Sequence, residues 1–268
     1  MPGCVSDYPL SNPERKVADH SFIDVRKVSM SFGPITAVDE VSFTVAEGSV
    51  MGLVGSDGAG KSTLLRMMAT MIKPTSGVIT IDGLDVIRDK RLIKTKIGYM
   101  PQRFGLYEDL TVKENIDFFM DIFGIFGAER KIRRDRFLGF SNLLPFVDRI
   151  AGNLSGGMKQ KLGLACVLVH QPRILILDEP TNGVDPVSRQ EFWDILFQMN
   201  KQGMTIVIST AYLDEGEKCD CLTLMHRSRV VDSDVPDKIR ADSPSLEEAL
   251  IRRIRDEDED LIHDNFKF

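Results

Sequence analysis

Two kinds of apolar pattern follow one another along the chain. Phe22, Val25, Val28 and Met30, then Val41, Phe43 and Val45, are interleaved with polar residues, and Gly33-Pro34 lies between the two stretches. Alternation with a turn dipeptide in the middle predicts two antiparallel strands, each with one buried face. From residue 50 the pattern changes to short, nearly continuous apolar runs: Val50-Met51-Gly52-Leu53-Val54, Ile174-Leu175-Ile176-Leu177 and Thr205-Ile206-Val207-Ile208. Such runs suit strands buried on both faces of a parallel sheet. Helices are predicted over Lys61–Met71, Thr111–Phe140 and Ser155 to about Val169, and from Pro186 onward, where Asp185 is placed as N-cap and proline takes the first position. Strands alternating with helices predict an α/β fold with a mostly parallel sheet, preceded by an antiparallel β portion. Residues 1–21 read as a polar lead-in, 22–230 as the folded body and 231–268 as an acidic extension.

Composition narrows the class. The chain has 268 residues, 43% hydrophobic and 28% charged, ordinary usage for a globular protein that can bury a sizeable core. Its net charge of −6 is a property of one end: residues 231–268 carry 12 acidic and 6 basic side chains, and the body before them is balanced. The densest stretch, Asp256-Glu257-Asp258-Glu259-Asp260, reads as a solvated tail. The basic cluster Arg130, Lys131, Arg133, Arg134 and Arg136 likewise reads as a solvated helix face. A neutral body supplies no electrostatic footprint for nucleic acid. No apolar run reaches the roughly 18 residues a membrane span requires, and the first residues lack the basic flank and apolar stretch of a signal peptide. The expectation is a cytoplasmic protein. Cys4, Cys166, Cys219 and Cys221 form neither a CxxC pair nor a zinc spacing, which suits incidental thiols in a reducing compartment.

The strongest chemical signal is Gly55-Ser56-Asp57-Gly58-Ala59-Gly60-Lys61-Ser62, followed by Thr63, between a predicted buried strand and a predicted helix. It fits G-x-x-x-x-G-K-[ST]. Glycines let the backbone curl around a pyrophosphate so that successive N–H groups and a helix N-terminus face its oxygens. Lys61 then reaches the β- and γ-phosphates, and the Ser62 hydroxyl serves a Mg²⁺ ion. Asp178, at the end of the Ile174–Leu177 run, supplies the acidic partner for that metal. Glu179 beside it is the candidate base that orients and polarises the attacking water. The chemistry predicted is hydrolysis of a nucleoside triphosphate by a P-loop NTPase core.

Leu154-Ser155-Gly156-Gly157-Met158-Lys159-Gln160 resembles the L-S-G-G-x-x-Q signature of the ABC ATPase family, and the resemblance extends over about residues 22–230. It implies an α-helical signature subdomain near 102–155. Leu154, Ser155, Gly156, Gly157 and Gln160 would contact the ATP held by an opposite subunit. Phe32 matches the family's adenine-stacking aromatic, Gln102 the glutamine that touches Mg²⁺ and the attacking water, and Asp185 the D-loop aspartate; the three residues before it depart from the commonest form. One further departure concerns the stretch Ser209-Thr210-Ala211, where the family usually places a histidine against the γ-phosphate. Losing one preorganised donor from such a site costs roughly 10²–10³ in rate.

The resemblance implies an ATPase that closes with a second ABC ATPase domain, as a homo- or heterodimer, and drives a separate integral membrane permease from the inner face of the cell membrane. Gln102–Val112, Tyr212–Glu217 and Ser245–Ala249 are most similar to the ABC-2 or multidrug exporter type. Phe104, Leu106 and Tyr107 either meet the membrane partner or pack the helical subdomain. Two readings compete: a degenerate subunit, on account of Ala211, that binds ATP and hydrolyses it slowly beside a catalytic partner, and a soluble ABC protein of translation or DNA repair. A single P-loop and signature, with neither coiled coil nor zinc spacing between them, weigh against the second.

Overall fold

The structure is a computed structural model that describes residues 21–241 and 243–265; the lead-in 1–20 and Cys4 lie outside them. Strands β1 (Ser21–Phe32) and β2 (Ile35–Ala46) form the expected hairpin through Gly33-Pro34. They join β4 (Ser76–Ile81) and β5 (Leu84–Asp85) in an antiparallel sheet of order β2-β1-β4-β5. A second sheet contains β3 (Val50–Gly55), β6 (Ile97–Met100), β7 (Ile174–Asp178), β8 (Thr205–Thr210), β9 (Cys221–His226) and β10 (Arg229–Asp234), in the order β10-β9-β3-β8-β7-β6. All its pairings are parallel except β10 on β9.

The continuous apolar runs are explained by two cores, one on each face of this sheet. Val50, Val54, Leu175, Leu177, Ile206 and Ile208 point to one core, with helices α5 (Gly156–Leu168) and α6 (Pro186–Lys201). Met51, Leu53, Ile174, Ile176 and Val207 point to the other, shared with the antiparallel sheet and with α1 (Lys61–Met68). Alternate side chains of one strand leave on opposite sides, so a strand covered on both faces has no polar position to show.

Helix α2 (Lys90–Lys96) precedes β6, and the segment between β6 and α5 holds α3 (Val112–Ile122) and α4 (Gly127–Phe140). The single helix expected over 111–140 is therefore two, broken where Gly124 and Gly127 take φ of +67° and +64°. Thr111 and Glu114 close a reciprocal capping box at the start of α3. The basic cluster is not simply a solvated face. Arg130 and Arg134 pair with Asp117 and Arg130 also with Asp121, while Arg133 pairs with Glu129 and donates to the Val169 carbonyl at 2.9 Å. These guanidiniums fasten α4 to α3 and α5.

The acidic end also departs from expectation. The boundary placed at 230 falls inside β10, and α8 (Pro236–Arg240) and α9 (Leu246–Asn265) follow it. Leu246 and Leu250 of α9 are buried in the first core, and Ala249 between them is buried as well. Burying each leucine stabilises the docked helix by about 1.5–3 kcal/mol. Arg253 pairs with Asp232 of β10, and Asp258 accepts from Nε2 of His226 at 2.9 Å and lies 3.2 Å from Arg227. The run beginning at Asp256 thus lies on a helix docked against the sheet edge rather than in a solvated coil.

Candidate functional site

The phosphate-loop residues lie between β3 and α1. Ser56, Asp57 and Gly58 are exposed at the crown, Ala59 is buried beneath them, and Lys61, Ser62 and Thr63 begin the helix. Gly58 and Gly60 take φ of +78° and +101°. At Gly60 a Cβ would stand 2.2 Å from the Ala37 carbonyl oxygen, and at Gly55 one would stand 2.2 Å from that of Met225. Backbone oxygens of β2 and β9 occupy the space of those side chains, so these positions require glycine. The first N–H groups of α1 have no acceptor within the helix and face an incoming anion.

Lys61 is buried. Its ammonium donates to the Gly55 and Ser56 carbonyls at 2.7 and 3.0 Å and lies 3.4 Å from Glu179 Oε1. Across the site, Asp178 ends β7 fully buried, and its Oδ1 accepts from the Ser62 and Ser209 hydroxyls at 2.8 and 2.9 Å. Its Oδ2 is buried with no hydrogen-bond partner. An anionic oxygen without a donor is costly in the interior, and one placed beside the Ser62 hydroxyl suits a small, hard cation. The donor set therefore fits Mg²⁺, held through Ser62 and Asp178.

Glu179 takes φ of +46°, a conformation that costs a residue with a Cβ of order 1–3 kcal/mol unless its surroundings impose it. Its N–H is shared by the Ser209 carbonyl at 3.1 Å and the Ser209 hydroxyl at 3.0 Å. Its Oε2 accepts from Gln102 at 2.9 Å and Asn182 at 3.4 Å. Gln102, distant in sequence, is thereby brought onto the acidic pair. The strained backbone is thus that of the residue whose carboxylate stands beside Lys61 at the phosphate loop.

The remaining candidates lie elsewhere. Leu154 is buried, and the Ser155 hydroxyl caps α5 by accepting from the Met158 N–H at 3.3 Å; Gly156 is exposed and Gln160 half-buried on the helix's first turn. A Cβ on Gly157 would stand 2.4 Å from Ser188, which packs the start of α5 on the start of α6. There Asp185 accepts from the Ser188 N–H at 2.9 Å, a bond that holds its carboxyl below the usual range. Among the described residues no hydrogen bond or ion pair joins 154–160 or Asp185 to the phosphate loop. Phe32 is half exposed at the end of β1, paired in register with Ile35. Ala211 is exposed just past β8; Thr210 before it bonds Glu215, and the Tyr212 ring after it carries the Arg189 guanidinium at 4.2 Å. His170 bonds the Ile97 carbonyl and His226 bonds Asp258, so neither is tied to this segment.

Two residues of consequence escape the motif reading. Ser209 bridges Asp178 and Glu179; its only sequence signal is a polar residue at the end of a buried run. Asn115, fully buried on α3, accepts from the Tyr107 N–H and donates to the carbonyls of Tyr107, Leu110 and Thr111, holding the loop that follows Gln102. Nothing in its sequence neighbourhood marks it. Phe104 stacks on Phe119 at 5.3 Å and Leu106 packs on the first core, whereas Tyr107 stands exposed with its edge to Phe118.

A glycine loop on a helix N-terminus, a lysine at its mouth and an acidic strand end facing Ser62 define a P-loop nucleotide site. The chain belongs to the ABC transporter family, whose model matches residues 38–182. It is 50% identical over 195 residues to a probable multidrug ABC transporter ATP-binding protein of Escherichia coli (strain K12), covering 73% of this chain and 34% of that protein. It is 40% identical over 210 residues to the Nod factor export ATP-binding protein I of Rhizobium sp. (strain N33), covering 77% and 68%. The chain thus spans about a third of the first relative's length. Among solved structures, the ATP-binding subunit of an ABC transporter matches with a TM-score of 0.78 at 27% identity, over 87% of this chain and 99% of that one. A dimeric ATP-binding cassette bound to ADP and phosphate matches with a TM-score of 0.72 at 26% identity, over 80% and 98%.

Proposed function

We propose that this chain is the ATP-binding and ATP-hydrolysing subunit of an ABC transporter of the export type. The observation that carries the reading is the convergence of Lys61, Ser62, Gln102, Asp178 and Glu179 on one phosphate loop, from three separate segments of the chain. Glu179 orients a water and accepts its proton as the water oxygen bonds to the γ-phosphorus and the bond to ADP breaks. Gln102 holds the Glu179 carboxylate, and Lys61 meets charge developing on the phosphates. Mg²⁺, when bound by Ser62 and Asp178, neutralises phosphate charge. Phe32 on its hairpin offers a face for adenine.

The chain works as a head-to-tail pair with a second ABC ATPase domain. The signature Leu154–Gln160 and Asp185 share one surface without a bond to their own phosphate loop, which suits contact with ATP held opposite, and a similar solved cassette is dimeric. The names of the relatives, multidrug and Nod factor export, support export as the direction. On this reading an integral membrane permease completes the transporter and holds this subunit at the inner membrane face; among the described residues no helix is long and apolar enough to cross a membrane. Exposed Tyr107 is the permease's proposed contact. The ATPase core runs from residue 22 through the end of β10, with the helical subdomain near 102–155.

The decisive experiment compares the wild type with Glu179→Gln in ATP hydrolysis, ATP binding and self-association. Hydrolysis is expected to be lost while binding persists and ATP stabilises a dimer; an unchanged rate in the variant rejects the assignment. Ala211 favours a second reading, a subunit that binds ATP and turns it over slowly beside a faster partner. Turnover at tens per second by the purified chain rejects that one.

A further inference from the structure

The mechanism gives the buried carboxylate of Glu215 no task. Glu215 lies in α7 (Leu213–Gly216), four residues beyond Ala211, and is fully buried. Among the described residues its charge is met by hydroxyls rather than by a cation. Thr181 donates to its Oε1 at 2.7 Å and Thr210 to its Oε2 at 2.6 Å. Thr210 in turn accepts from the Tyr212 N–H at 3.0 Å. Thr181 lies two residues past Glu179, and Thr210 directly follows Ser209. Glu179 is therefore gripped on both sides, by Ser209 on its own amide and by Glu215 through Thr181. Both grips run from the end of β8 to the end of β7. A residue at φ of +46° keeps that conformation only while its neighbours hold it, and hydrogen bonds to a buried anion are the stronger kind.

We propose that Glu215 is a positioning residue for ATP hydrolysis, clamping Thr181 and Thr210 so that the Glu179 carboxylate stays aimed at the attacking water. The proposal rests on the reading of Glu179 as the base. It also implies that the segment after β8, which carries Ala211, is ordered from within by Glu215.

The test measures kcat, KM and nucleotide affinity for Glu215→Ala, Glu215→Gln, Glu179→Gln and the double variant Glu215→Ala/Glu179→Gln, with single-turnover hydrolysis for the slow ones. Misplacing a reacting group by about an ångström costs roughly 10²-fold, so Glu215→Ala is expected to lower kcat roughly 10- to 100-fold. Affinity should stay within about twofold, because the phosphate loop is untouched. Glu215→Gln should recover most of the rate, since an amide can accept from one threonine and donate to the other hydroxyl. In the Glu179→Gln background, Glu215→Ala should cause no further loss. A wild-type kcat in Glu215→Ala, or an equal fall in both backgrounds, overturns the proposal while leaving the base assignment intact. Unaltered hydrolysis in Glu179→Gln overturns the base assignment and the proposal with it. Where Glu215→Ala does not fold, the near-isosteric Thr181→Val removes one donor only; it should lower kcat several-fold, and an unchanged kcat overturns the proposal.

Discussion

Truncating Asn115 to alanine removes a side chain with four hydrogen bonds, yet three of its partners keep another. The Tyr107 carbonyl still accepts from the Leu110 N–H, the Leu110 carbonyl from the Ala151 N–H, and the Thr111 carbonyl from residue 115's own N–H. Only the Tyr107 N–H, which donates to Asn115 Oδ1 at 2.9 Å, loses its acceptor. One orphaned donor costs about 1–3 kcal/mol, and a small cavity adds to it, so Asn115→Ala should lower unfolding stability by about 2–3 kcal/mol. Asn115→Asp should do worse. It keeps the acceptor for Tyr107 but turns an anionic oxygen toward three carbonyls, with no water to screen it. Urea titration followed by fluorescence of Trp193, the single tryptophan and fully buried, measures both variants. An Asn115→Ala variant within about 0.5 kcal/mol of wild type, or an Asn115→Asp as stable as wild type, would refute the account of how the loop after Gln102 is held.

Gly60→Ala should abolish tight nucleotide binding, because its Cβ must displace the Ala37 carbonyl at 2.2 Å while the backbone holds φ of +101°; fluorescent-nucleotide titration reads the effect, and wild-type affinity would contradict the packing described. Burial pushes the His170 ring below its ordinary value, its Nε2 bonds the Ile97 carbonyl, and its Nδ1 is buried without a partner. The native state therefore binds this proton more weakly than the unfolded chain does, so the stabilisation is full above about pH 6.5 and falls away as the pH drops through the lowered native value. Melting temperatures over that window should fall for the wild type and fall less for His170→Gln; identical slopes would count against it.

Much of the nucleotide site was legible because its chemistry constrains neighbours in sequence. A phosphate cradle requires glycines, a lysine and a hydroxyl at set spacings, and a doubly covered strand must be apolar throughout, so Gly55–Ser62 and Ile174–Glu179 announce themselves. At the acidic end the charge density of Asp256–Asp260 masks the spacing of Leu246, Ala249, Leu250 and Ile254, which lies on one helical face. The pairing of the basic cluster on α4 is hidden in the sequence for a related reason: Asp117 and Asp121, its partners, lie on another helix.

The residue pattern by itself determined the two kinds of strand, the phosphate loop, the acidic strand end and the signature, since each depends on side chains a few positions apart and on the covering of its own element. Tertiary structure alone decided what crosses between elements. The parallel order of β3, β8 and β7 brings the Ser62 and Ser209 hydroxyls onto one oxygen of Asp178, and the return of the chain after β6 delivers Gln102 to Glu179. It also turns Glu215 inward between two threonines. Hydrogen bonds of under 3 Å require a placement that no spacing along the chain encodes, and the strained backbone of Glu179 exists only because both strand ends hold it there.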